Sequence, residues 1–97
     1  MSKKYNPHPG NILRDYLDEI GVSQYKLAAE TGIPRSNLSN LILGKRSVTP
    51  EIAMRLGKFF GQTPKFWLNL QATHDLFEVQ NVHGREIDKI RKYSEAV

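Results

Sequence analysis

Ninety-seven residues, 39% of them hydrophobic and 25% charged, allow one ordinary globular domain with a single small core. The chain has no cysteine, no apolar run near its N-terminus and no stretch of membrane-spanning length, which excludes disulfides, thiolate metal sites and a spanning helix and leads to the expectation of a cytoplasmic protein. The formal charge is +4, and most of the excess is concentrated: Lys26, Arg35, Lys45 and Arg46 against Glu30 give residues 21–46 a net +3, a patch suited to phosphates.

The first predicted helix runs from about Pro9 to Ile20, with Leu13, Leu17 and Ile20 on one face and Arg14, Asp15, Asp18 and Glu19 outward. Gly21 is its expected stop. Ser23 is an N-cap for a second helix that ends near Gly32, where a left-handed backbone suits glycine. Pro34 fits the first turn of a third helix, which Gly44 closes. Leu27, Ile33, Leu38 and Leu41 are spaced to fill the angle between the second and third helices, and the small Ala28 lets them approach. That layout is a helix-turn-helix, which presents its second helix to a DNA major groove.

Two further starts share one device, a threonine cap followed by proline, at Thr49-Pro50 and Thr63-Pro64. The fourth helix carries Ile52, Leu56, Phe59 and Phe60 on a core face and ends at Gly61. The fifth, Pro64 to about Glu78, is apolar on two sides. Phe66, Leu70 and Phe77 form one stripe flanked by Trp67, and Leu68, Ala72 and Leu76 form another roughly opposite. One stripe can cover the domain's own core. The other calls for a second copy of the chain or a tail folded back over it. Phe66, Trp67, Leu68, Leu70, Leu76 and Phe77 are the candidate dimerisation residues.

Past Glu78 the pattern weakens. Val79 to His83 has no clear period and Gly84 interrupts; Arg85 to Tyr93 reads either as a short helix with Ile87 and Ile90 inward or as a frayed tail. The expected organisation is a helix-turn-helix unit over residues 1–78, dimerisation helix included, and an extension over 79–97. No strand period occurs, so the expected class is all-α.

The outer surface of the third helix then consists of Arg35, Ser36, Asn37, Ser39 and Asn40, the candidate base contacts. Arginine can pair with guanine O6 and N7, and asparagine with adenine N6 and N7. Gln24, in the first turn of the second helix, is placed to hold a phosphate with that turn's free N–H groups. Lys45 and Arg46, just past the third helix, are the other candidate phosphate contacts. Ser36 and Asn37 have a competing role as helix-start residues satisfying backbone groups. His8, His74 and His83 are widely spaced without ligand periodicity, and no serine sits in a His/Asp pattern, so no metal, cofactor or enzymatic activity is expected.

These residues resemble the HigA-type antitoxins, the virulence-associated protein I group, within the Xre/Cro–C1-type helix-turn-helix proteins. The resemblance rests on His8-Pro9-Gly10, Leu13 and Leu17, Ser23-Gln24, Gly32-Ile33 and the run Leu41-Ile42-Leu43-Gly44-Lys45-Arg46. Its most specific part is Thr63-Pro64-Lys65-Phe66-Trp67-Leu68-Asn69-Leu70-Gln71, close to a family segment ending in Phe-Trp-Leu-Asn-Leu-Gln. It covers residues 8 to about 78. It implies a five-helix, lambda-repressor-like DNA-binding domain with a short C-terminal extension. It also implies a homodimer that binds a palindromic double-stranded operator at its own promoter. A partner toxin of the HigB type, a small ribosome-dependent mRNA endonuclease, is implied too. Members of the family also occur as free-standing regulators without a toxin.

Overall fold

Side-chain caps open three of the helices in the computed structural model, which describes residues 6–94. Its five helices are α1 (Pro9–Ile20), α2 (Gln24–Thr31), α3 (Arg35–Ile42), α4 (Pro50–Phe60) and α5 (Pro64–Asp88). His8 caps α1 through a reciprocal pair: its Nδ1 accepts from the Gly10 N–H (2.9 Å), and Asn11 Oδ1 accepts from the His8 N–H (3.1 Å). Ser23 Oγ caps α2 by accepting from the Lys26 N–H (3.0 Å), and Thr49 Oγ1 caps α4 by accepting from that of Ile52 (3.2 Å).

Two starts differ from expectation. Pro34 is the N-cap of α3 and not its first helical residue, so the turn comprises residues 32–34. Thr63 makes no side-chain cap; its carbonyl accepts from the Phe66 N–H instead (3.1 Å).

The inward faces of α1 to α4 converge. Leu13, Leu17, Leu27, Ile33, Leu38, Leu41, Val48, Ile52, Ala53 and Leu56 are all buried in one cluster. Gly10 lets α1 lie directly on the end of α3, since a methyl there would run into the Leu41 carbonyl. Ile20 departs from the expected inward face: it is 50% exposed. The chain turns at Gly21, and the Val22 N–H bonds back to the Leu17 carbonyl (3.0 Å), so Val22 and not Ile20 packs at that edge of the core.

Trp67 is the largest correction. It is 0% exposed within a single chain, with its indole N–H donating to Gln62 Oε1 (2.9 Å), so it is a core residue and not a dimer contact. Tyr16, Phe60 and Phe66 surround it at centroid distances of 5.7, 5.9 and 5.3 Å. Phe66, Leu68 and Leu70 are half-buried against the same core, which absorbs part of each. Gln71, also buried, accepts from the Val48 N–H (2.8 Å) and donates to Asp75 (2.9 Å), tying the α3–α4 loop to α5. The conspicuous Trp67-to-Gln71 segment therefore holds the domain together.

α5 does not stop at Glu78. It runs on through Gly84 to Asp88, 25 residues in all and about 37 Å of helix. One glycine among helix-tolerant neighbours weakens a helix by only about 1 kcal/mol and does not end it. Past Gln71 most apolar residues of this helix leave the core: Leu76 is 71% exposed, Val79, Val82 and Ile87 are exposed, and so is Ile90 just past its end, while Phe77 stays half-buried. Ile87 and Ile90 do not turn inward, and no segment of the described residues folds back over the second stripe.

Candidate nucleic-acid interface

The turn between α2 and α3 is held by its own polar groups and by a brace from α4. Thr31 Oγ1 donates to the Leu27 carbonyl (2.7 Å) and accepts from the Ile33 N–H (3.2 Å), and Gly32 takes a left-handed φ of 76°. Arg55 of α4 donates to the Thr31 carbonyl (2.8 Å) while an ion pair with Glu51 (3.0 Å) fixes its other edge. Ile33 is buried under the turn. The angle between the two helices is thus set by a hydrophobic wedge, a left-handed glycine and an arginine strut.

Burial of Leu38, Leu41 and Ile42 turns the opposite side of α3 to solvent. Arg35, Ser36, Ser39 and Asn40 are exposed there. Asn37 stands apart from them: it is half-buried, and its Oδ1 accepts from Arg46 Nη1 (3.1 Å), which fastens the loop after α3 to the helix. Gln24 is exposed as the first residue of α2, and Lys45 and Arg46 are exposed beyond α3. Among the described residues none of Lys26, Arg35, Lys45 and Arg46 is ion-paired with a carboxylate. The positive charge on this side is therefore uncompensated.

Two side chains here were not singled out by spacing. Tyr25 stacks on Arg35, the guanidinium carbon lying 5.0 Å from the ring centroid. Arg55 braces the turn. The signal available for Tyr25 was an aromatic in a basic exposed stretch, but nothing local links it to position 35.

The histidines also fall differently from their sequence spacing. His8 and His74 meet edge-on at 5.0 Å, and Asn6 donates both to the His74 carbonyl (3.2 Å) and to Glu78 (3.1 Å). Burial holds the His8 imidazole below its usual range; neighbouring His74 pushes the same way and Asp75 opposes them. His83 lies separately on α5, 3.2 Å from Glu86.

A braced helix-turn-helix with an uncovered, basic second helix in a five-helix, all-α, lambda-repressor-like fold defines a DNA-binding regulator and not an enzyme. The family model described as Helix-turn-helix matches residues 13–68. The chain is 39% identical over 80 residues to the HTH-type transcriptional regulator YddM of Escherichia coli, covering 82% of this chain and 85% of that protein. It superposes with a TM-score of 0.89 and 37% identity on an addiction module antidote protein of a HigA family from Coxiella burnetii, covering 93% of this chain and 100% of the other. It is also similar to the Pseudomonas aeruginosa antitoxin HigA solved with the higBA promoter, with a TM-score of 0.85, 28% identity and coverage of 93% and 100%. The chain belongs to the Xre-type helix-turn-helix family of HigA antitoxins and virulence-associated proteins. Among the described residues no helix is long and apolar enough to cross a membrane.

Proposed function

We propose that this chain is a homodimeric, operator-specific antitoxin that represses its own operon and neutralises a HigB-type mRNA endonuclease. The observation that carries the DNA half is the solvent-facing side of α3, where arginine, asparagine and two serines stand unburied beside a basic loop. In this reading Arg35 and Asn40 meet base edges, with Ser36 and Ser39 between them. Asn37 would act mainly through its bond to Arg46. Gln24, Lys45 and Arg46 meet phosphates, Gln24 with the free N–H groups at the start of α2.

Two such helices must lie about 34 Å apart to enter successive turns of a palindrome, which a symmetric dimer achieves. Leu76 and Phe77, with the exposed apolar residues Val79, Val82 and Ile87 that follow them, supply the dimer surface, which thus runs past Glu78 into the extension. The antitoxin half draws support from the HigA-family relatives.

The test is fluorescence anisotropy with the chain's own upstream region at rising salt, followed by co-expression with the product of the adjacent reading frame. Operator binding that weakens steeply with salt and a toxin relieved by co-expression are expected. No salt-sensitive binding removes the DNA half. Operator binding without any toxin to neutralise leaves a stand-alone regulator.

A further inference from the structure

We infer that Tyr25 is a positioning residue for DNA reading: its ring backs the Arg35 guanidinium and presents that group's N–H edge to a guanine. This rests on the proposed role of Arg35 in base contact.

Tyr25 is 65% exposed at the second position of α2, so the core does not account for it. Its ring centroid lies 5.0 Å from the Arg35 guanidinium carbon, inside the range of about 6 Å for cation–π attraction. Arg35 is the first residue of α3, and that helix start has no side-chain cap to order its surroundings. An arginine standing alone there would sample many rotamers, and binding would have to freeze them. Stacking removes part of that freedom in advance. It also uses only the face of the guanidinium, leaving the in-plane donors available for bidentate pairing with O6 and N7.

The neighbouring arginines show the contrast. Arg55 commits its donors to Glu51 and the Thr31 carbonyl, and Arg46 commits one to Asn37. Among the described residues the Arg35 N–H groups make no hydrogen bond, and its one ring contact is Tyr25. Because Tyr25 and Arg35 flank the turn that Gly32, Thr31 and Arg55 hold, the stack keeps its geometry as long as the motif does.

The experiment measures affinity of the full chain for its footprinted operator, for operators with each guanine replaced in turn, and for random DNA. The variants are Tyr25→Ala, Tyr25→Phe, Arg35→Ala and the Tyr25→Ala/Arg35→Ala pair. Tyr25→Ala should weaken operator binding about two- to fivefold, the size of an exposed cation–π contact, and shrink the penalty at one guanine. Tyr25→Phe should behave as the parent, the double variant should be no weaker than Arg35→Ala, and thermal melting should be unchanged. Equal loss on random DNA, a Phe variant as weak as the Ala variant, or additive losses would each overturn the inference and make Tyr25 a backbone contact. An Arg35→Ala variant that relaxes no base position overturns the Arg35 reading itself, a result separable from all of these.

Discussion

α3 and α5 both carry regularly spaced apolar residues, yet the two helices use them differently. In α3 the spacing has one meaning: Leu38 and Leu41 go inward, and Arg35, Ser36, Ser39 and Asn40 go outward. In α5 it has two. Up to Gln71 the helix supplies Trp67 and a buried amide to the core; further on, Leu76, Val79, Val82 and Ile87 face solvent. Periodicity tells which residues share a face. It does not tell whether that face meets the same chain or another one.

The sharpest way to break that division is to exchange the roles of Trp67 and Leu76. Trp67→Ala should cost about 3–5 kcal/mol in urea unfolding, enough to threaten so small a domain. Leu76→Asp should leave the helical circular dichroism intact and convert a dimer to a monomer in sedimentation. A Trp67 variant that melts normally but dissociates would return that residue to the interface.

Gln71 gives a smaller effect with a more specific readout. Gln71→Ala leaves the buried Val48 N–H without its partner, an expected loss of about 1–3 kcal/mol. Hydrogen exchange should accelerate at the Val48 amide, because that bond anchors the loop that bears Lys45 and Arg46. Unchanged exchange there would mean that the α3–α4 loop is held without α5.

The smallest effect is the acid sensitivity of the α1 cap. His8 Nδ1 can accept from the Gly10 N–H only when unprotonated, and burial lowers its affinity for a proton below the ordinary value of 6.5. The unfolded chain therefore binds the proton more readily. The cap's contribution is complete above about pH 6.5 and is lost as pH falls through the lowered folded value. Melting temperature should decline on that side, and less so for His8→Asn, which retains a side-chain acceptor without titrating. Equal slopes for the two chains would remove His8 as the cause.

Much of the motif was legible because α2 and α3 are short and their apolar spacing admits one solution. Leu27, Ile33, Leu38 and Leu41 could be placed inside, and the exposed base-contact candidates followed by exclusion. The same reasoning put Trp67 with the dimer residues because an aromatic beside two stripes fits either side. It ended α5 at Glu78 because solvent-exposed residues lose the period that core packing enforces. Ile20 has the right helical angle but lies beyond the edge of the core. The bond from Gln71 to Val48, the His8–His74 contact and the Tyr25–Arg35 stack join residues that no local pattern connects. Only the folded chain brings them together.

In the proposed function the exposed side of α3 reads DNA sequence, and Arg35 is the residue that does so. It is tested most directly by comparing the parent chain with Arg35→Ala on operator and on random DNA at one salt concentration. A loss of about 1–3 kcal/mol confined to the operator, with one base position relaxed, is the expected result. An equal loss on both DNAs would contradict it and reduce Arg35 to a phosphate contact.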